Sequence, residues 1–438
     1  MADERPNVVF VLTDDQGPWA AGCYGNPEIR TPNIDRIAAT GTMFRNHFVA
    51  TPVCSPSRAT YLTGRIPSQH SIHEWINEQN VGPEAKEYLA GEVAYTDVMA
   101  AHGYTCGISG KWHMGMSLKP QHSFTHWYVH QRGGGPYNDA PMIRDGQLIN
   151  EPGYITDAIT DEALTYLDAH KDERFCLHVC YTAPHSPWTG HPQDIVDSYD
   201  DCAFESCPQE PKHPWAISLT DRCLGDREML KGYFAAVTAM DANLGRIIDK
   251  LEALGLRENT LLVFASDNGF SCGHHGLWGK GNATRPRNMY ENSIKVPFVI
   301  SHPGHIPAGR VEEGMVSAYD FLPTLLDYLG LPIPTEQNLP GRSVAPLWRG
   351  ESMEGNEIIV VYDEYGPVRM IRTQEWKYVH RYPDGPHDLF DLVNDPDERR
   401  NLADDPAQAA RIAELRAELE AWFARYVVPE RDGLRETY

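Results

Sequence analysis

Asn7-Val8-Val9-Phe10-Val11-Leu12 is an unbroken apolar run rich in β-branched residues, and it ends at once in Thr13-Asp14-Asp15. A strand that is apolar on both faces has no side to turn to water, so it belongs inside a parallel sheet covered on both faces. Apolar runs at 104–109, 175–181, 260–265 and 297–300 read as further strands. Helical segments lie between them. The first, 34–39, is opened by Thr31-Pro32-Asn33 and stopped by Gly41. Others are 55–62, 96–101, 155–170 (with Ile155, Ile159, Leu164 and Leu167 on helical spacing), 228–254 and 321–329. The alternation predicts an α/β fold: a large, mostly parallel or mixed central sheet flanked by helices. The character changes at 338–355, which carries Pro340, Gly341, Pro346, Gly350 and Gly355. Beyond it, 358–362, 368–372 and 376–380 read as short antiparallel strands, and 406–426 as a closing helix. The expected division is a large α/β domain over 1–345 and a small C-terminal α+β unit, an antiparallel sheet with a helix, over 346–438.

The 438 residues exceed one ordinary core, which fits two units. Lys and Arg number 38 against 61 Asp and Glu, a formal charge of −23. Such acidity argues against nucleic acid or an anionic membrane as the main partner. It leaves room for an anionic substrate, because a few cations in a cleft set the local field. The first apolar run is too short for a signal peptide or a membrane span, so the chain as given is expected to be cytoplasmic. Nine cysteines are spread without a CxxC pair, a poor pattern for zinc. Cys176 and Cys180 fall in an apolar run and read as small buried hydrophobes. Cys202 and Cys207, in a polar loop, are the pair best placed for any disulfide.

The chemistry gathers just past the strands, where sites of open α/β sheets lie. The first strand delivers Asp14 and Asp15. The 104–109 strand leads to Gly110-Lys111-Trp112-His113, the 175–181 strand to Ala183-Pro184-His185, and the 260–265 strand to Asp267-Asn268-Gly269 and then Lys280. Adjacent aspartates alone read equally as a turn cap. Together with Asp267 and Asn268 they make an all-oxygen donor set, which suits Ca²⁺ or Mg²⁺ and not zinc. Cys54 begins the helical stretch Cys54-Ser55-Pro56-Ser57-Arg58, where a helix start favours an anionic ligand. Arg58 follows one turn along.

Cys54-Ser55-Pro56-Ser57-Arg58, running into Ala59-Thr60-Tyr61-Leu62-Thr63-Gly64-Arg65, resembles the signature of the formylglycine-dependent (type I) sulfatases of the alkaline phosphatase-like superfamily. Gly110-Lys111-Trp112-His113, His185 in Ala-Pro-His-Ser-Pro, Asp267-Asn268-Gly269 and Gly276-Leu277-Trp278-Gly279-Lys280-Gly281 match that family as well. The resemblance spans residues 6–303, with echoes at 317–330 and 387–402. It implies that Cys54 is oxidised to formylglycine by a maturation enzyme. It implies that Asp14, Asp15, Asp267, Asn268 and the modified Cys54 hold a divalent cation, usually calcium, with magnesium the other hard ion that fits. It further implies that Arg58, Lys111 and Lys280 stabilise charge on the transferred group, that His185 with Lys280 protonates the leaving alcohol, and that His113 assists release of sulfate. The expected activity is hydrolysis of a sulfate monoester, on a saccharide before an aryl or alkyl sulfate. A phosphonate or phosphate monoester hydrolase on the same scaffold, and a non-catalytic anion binder with an unmodified Cys54, stay open as alternatives. Substrate contacts are expected among His70, His73, Glu74, Trp75, His122, His126, Trp127, His130 and Arg132, where rings and cations suit a polar sugar. His275, beside His274, is equally a site residue or a structural one.

Overall fold

The computed structural model describes residues 5–362 and 367–435. Its central sheet has eleven strands. In chain order these include β1 (Asn7–Thr13), β2 (Thr42–Phe48), β3 (Thr105–Gly110), β4 (Phe124–His130), β5 (Asn138–Arg144), β6 (Gln147–Tyr154), β7 (Phe175–Cys180) and β8 (Thr260–Ser266). A two-stranded hairpin, β9 (Ser271–Cys272) and β10 (Trp278–Gly279), stands apart from it. The large sheet is completed by β11 (Lys295–Ser301), β12 (Arg310–Glu312) and β13 (Val316–Ser317), in the order β12-β2-β11-β8-β1-β7-β3-β4-β5-β6 with β13 also on β2. The middle of this order, β8-β1-β7-β3, is parallel throughout. β11, β5 and β6 run antiparallel to their neighbours, so the sheet is mixed.

β1 lies at the centre, and its alternating side chains explain why its sequence is apolar on both faces. Val8, Phe10 and Leu12 enter one core with Tyr61 of the helix Cys54–Thr63 and Phe321 and Leu325 of the helix Phe321–Tyr328. Val9 and Val11 enter the opposite core with Ile159 of the helix Ile155–His170 and Leu244 and Ile248 of the helix Arg227–Ala253. Asp226 caps the last of these, its side chain accepting from the backbone N–H groups of Glu228 and Met229. Asp241, buried mid-helix, has its own partner: it accepts from the N–H groups of Asn33 and Ile34 at the start of the helix Pro32–Ala39.

The remaining strands, β14 (Ile359–Tyr362), β15 (Val368–Arg372), β16 (Trp376–Arg381) and β17 (Asp388–Asp391), form an antiparallel sheet of four in sequence order. The helix Ala409–Tyr426 covers one face through Leu415, Leu419 and Phe423. The other face, with Val361, Met370 and Val379, packs against Phe48, Met289 and Ile294 of the larger body. No helix of the described residues is long and apolar enough to cross a membrane.

Two histidines are locked inside this core. His47 bonds the Tyr61 hydroxyl at 2.9 Å, and His178 bonds that of Tyr95 at 2.7 Å. Burial pushes both imidazoles down to about 3. An unfolded chain takes up these protons near pH 6.5, and the native one does not until far lower. Their contribution is therefore complete above about pH 6.5 and is lost as pH falls toward 3, by up to about 1.4 kcal/mol per pH unit for each ring. Urea midpoints measured at pH 7 and pH 5 are expected to show the drop. His178→Gln is expected to make the pH 5 loss smaller than in the parent.

Candidate active site

The four parallel strands end at one edge, and their hydrogen-bond ladder continues past them. Asp14 N–H donates to Ala183 O, Asp267 N–H to Thr13 O, and Lys111 N–H to Cys180 O at 2.7 Å. Each functional loop is thus pinned to its neighbour at its first residue. Gly110 makes the last of these approaches feasible: its φ is +111°, and a Cβ there would lie 2.0 Å from Cys180 O. Asp15 and His113 also hold positive φ, +66° and +55°, conformations that side chains other than glycine adopt only where surroundings enforce them.

The structure brings the ten candidate residues together around the start of the helix Cys54–Thr63. Lys280 Nζ sits 3.2 Å from Cys54 Sγ, 2.5 Å from Asp15 Oδ1 and 3.1 Å from Asn268 Oδ1. Arg58 Nε donates to Asp267 Oδ2 at 2.7 Å, and its Nη1 to Lys111 O at 2.9 Å. Lys111 Nζ pairs with Asp14 Oδ2. His185 Nδ1 donates to Ser186 O at 2.8 Å, which turns Nε2 inward, 3.9 Å from Asp15 Oδ2. His113 Nε2 donates to Ile76 O at 2.8 Å and leaves a buried Nδ1 without a partner.

The donor set tests itself against a cation. Asp14, Asp15 and Asp267 each place a carboxylate oxygen within 4.8 Å of the others. Asp14 Oδ1 and Asp267 Oδ1 are buried without any hydrogen-bond donor, an arrangement too costly to persist without compensation. Burial and the neighbouring Asp14 charge raise the Asp267 carboxyl to about 7. Burial also acts to raise Asp14, but Lys111, His185, Lys280 and Arg58 outweigh it and hold that carboxyl well below its usual range. Three crowded carboxylates with two bare oxygens and an adjacent amide fit a hard divalent cation. At position 54, burial and Asp14 push the thiol up to about 11, so a thiolate is not what this residue supplies at neutral pH.

Lys280 is held from behind by residues without any local signature. Asn288 Nδ2 donates to the carbonyls of Lys280 and Gly281 at 3.0 and 3.2 Å. The C-terminal sheet grips the same strap: Arg381 Nε donates to Arg287 O and Lys377 Nζ to Met289 O. Asn288→Ala is expected to lower kcat on the order of 10–100-fold with little change in KM, read by steady-state kinetics, because small misplacements of a reacting group cost that much.

Most of the expected substrate contacts are packed into the fold instead. His70 is buried against Thr60, His122 pairs with Asp97, His126 with Glu162, and His130 with the Thr182 hydroxyl. Trp127 donates to Ser117 O inside the core, and His73 faces the Tyr362 hydroxyl. His274 bonds Ser206 O, and His275 stacks on Tyr290 with ring centres 4.0 Å apart. Each of these side chains has a partner inside the fold, so its polarity alone does not mark a ligand contact. Trp75 and Arg132 do line the cleft above Cys54. The Cys202–Cys207 expectation is corrected as well: Cys202 Sγ points to Glu28 Oε1, and the Cys207 thiol lies against Cys272. The cleft is also lined by the Gly133-Gly134-Gly135 run, which no catalytic motif marks in the sequence. A Cβ at Gly133 would lie 2.1 Å from His113 Cε1, so the run marks a backbone pressed onto the site.

Comparison with known proteins completes the picture. Residues 6–331 match the family model described as Sulfatase, and residues 273–424 match that of the N-sulphoglucosamine sulphohydrolase C-terminal region. The chain is 30% identical over 447 residues to an ulvan-active sulfatase of Formosa agariphila, covering 96% of this chain and 81% of that protein. It is 27% identical over 505 residues to an N-acetylglucosamine-6-O-sulfatase of Bacteroides thetaiotaomicron, covering 97% and 87%. A solved structure of a protein in complex with its substrate D-glucosamine-2-N,6-O-disulfate superposes with a TM-score of 0.83 at 25% identity, over 99% of this chain and 100% of that one. The phosphonate monoester hydrolase of Agrobacterium radiobacter shares the fold, with a TM-score of 0.73 at 22% identity over 96% of each chain.

Proposed function

Since this chain belongs to the sulfatase family and is a sulfuric ester hydrolase, we propose that it cleaves sulfate monoesters of carbohydrates, using an oxidised Cys54 and a divalent cation, calcium before magnesium. The observation that carries this reading is the pair of bare, buried oxygens, Asp14 Oδ1 and Asp267 Oδ1, gathered beside Cys54 under the Lys280 ammonium. The sugar reading is supported by relatives named for sugar sulfates and by the substrate in the similar solved structure.

Asp14, Asp15, Asp267, Asn268 and residue 54 would hold the cation, which when bound supplies charge stabilisation to the sulfuryl oxygens and acidifies a neighbouring hydroxyl. Formylglycine, as the hydrate, supplies two hydroxyls on one carbon, one to attack sulfur and one whose deprotonation expels sulfate. The chain's own groups do the rest. Lys280, 3.2 Å from the side chain of residue 54, offsets negative charge where it accumulates. Arg58 fixes the Asp267 carboxylate, and Lys111 fixes Asp14, so both stay aimed at the same point. His185, with its Nδ1–H committed to Ser186 O, presents Nε2 to the leaving oxygen, and as the doubly protonated imidazolium it gives up the Nε2 proton to the departing alcohol. His113, with Nε2 committed to Ile76 O, keeps Nδ1 as a proton acceptor.

The test is a panel of sulfated sugars and aryl sulfates, assayed on protein whose conversion at position 54 has been quantified by mass spectrometry of the tryptic peptide 46–58. Turnover of sugar sulfates in proportion to the converted fraction is expected. Equal rates from protein carrying only the thiol would overturn the role of residue 54. Faster hydrolysis of a phosphonate ester than of the sulfate ester with the same leaving group would assign the other chemistry.

A further inference from the structure

Two walls rise from the site to form a cleft of about 370 Å³, large enough for a sugar ring. One wall is the segment bearing Trp75. It is docked on the site at two points, by Ile76 N–H donating to Ser55 Oγ and by His113 Nε2 donating to Ile76 O. Trp75 itself is 40% exposed, and among the described residues it is the one large exposed hydrophobic side chain that lines this cleft. The opposite wall is the run Arg132-Gly133-Gly134-Gly135. Gly133 presses on the His113 ring, and Gly134 lies beside His185. Its base is fixed by Gln131, whose N–H donates to Pro141 O and whose Nε2 donates to Met142 O, and by Tyr137, whose hydroxyl donates to His185 O.

Arg132, at the head of that run, is exposed and lines the cleft. Among the described residues it makes no ion pair and no hydrogen bond, in a protein of net charge −23 where carboxylates are plentiful. The cleft wall holds a single carboxylate, Asp15, and Lys280 and Asn268 already occupy it. An unpaired guanidinium in an anion-poor cleft is a preformed fork for a planar or tetrahedral anion. Its place also says which part of the ester it meets. The transferred sulfate belongs by Cys54 and Lys280, whereas the glycine run adjoins His185, the group assigned to the leaving alcohol.

The geometry points to a subsite, formed by Arg132 and Trp75, for the alcohol half of the ester: the preferred substrate is a sulfated sugar carrying a second anionic group, with the ring against Trp75 and that anion on Arg132. This rests on the carbohydrate reading above. The anion is a carboxylate of a uronate or a second sulfate, and both satisfy the same guanidinium.

The experiment compares kcat/KM for four esters: a neutral hexose monosulfate, a disulfated hexosamine, a sulfated disaccharide containing a uronate, and an aryl sulfate. Arg132→Gln is expected to lower the ratio of at least one dianionic sugar ester to the hexose monosulfate about tenfold, chiefly through KM, and Arg132→Lys to restore part of it. Which of the two dianionic esters responds identifies the anion. An unchanged ratio in Arg132→Gln, or wild-type preference for the neutral monosulfate, overturns the subsite and leaves the carbohydrate reading standing. Wild-type turnover of the aryl sulfate with none of the sugar esters overturns the carbohydrate reading and the subsite with it.

Discussion

Replacing Cys54 by serine is expected to abolish turnover, with kcat reduced on the order of 10⁴-fold or more and at most one equivalent of alcohol released per chain. The substitution is nearly isosteric at a position only 4% exposed, so the fold and the Lys280 contact are retained. A serine hydroxyl under Lys280 is able to accept a sulfuryl group once. It carries no second oxygen on the same carbon, so the chain has no internal route to expel sulfate. Intact-mass measurement after incubation with a sulfate ester is expected to show a stable adduct. Sustained multiple turnovers by Cys54→Ser would rule out the proposed nucleophile.

The second large effect is expected from Asp267→Ala. Bound calcium or magnesium, measured by elemental analysis of the purified protein, falls to trace level, and kcat falls on the order of 10³-fold or more. The change also removes the partner of Arg58, which is buried to the same depth. Breaking a buried pair from one side costs about 3–5 kcal/mol, so the variant also unfolds at lower denaturant. Asp267→Asn separates the two losses. The amide retains an oxygen for Arg58 Nε but brings no charge to the cation, so stability falls less than in the alanine variant while metal and activity are lost just as fully. Full metal content with wild-type rates in either variant would contradict the assigned donor set.

The parts of this molecule that are legible in its sequence share one property: their structural reason is local. β1, β7 and β8 are read from runs buried on both faces, and the residues that follow them fall at the site because parallel neighbours end together. β2 is not legible because Arg45 and Asn46 interrupt it, and its apolar ends meet distant partners on β11 and β13. The hairpin of β5 and β6 is hidden for the opposite reason. It lies at the sheet edge, and β6 is largely exposed, so no apolar alternation marks it. The histidines of 122–130 read as ligand contacts in the sequence because polarity alone does not tell a ring with an interior partner from an open one. The strap behind Lys280 was invisible for a further reason: Arg381 and Arg287 are far apart in sequence, and each alone is an ordinary arginine.

The central position of β1 also sets an order of events during synthesis. Its two partners, β7 and β8, come more than 160 residues later, so this strand has neither neighbour to pair with until that much further chain has been made. Between emergence of residue 54 and that of residue 266, translation at about 5–20 residues per second takes roughly 10–40 s. During that interval the stretch 54–63, with its Ser-Pro-Ser-Arg segment, lacks the later residues that cover it, such as Phe321 and Leu325, whereas in the finished protein it is a helix with every residue buried. Oxidation of Cys54, as proposed above, is therefore expected to be fastest before the fold closes over this segment, so that the race between oxidation and folding sets the converted fraction.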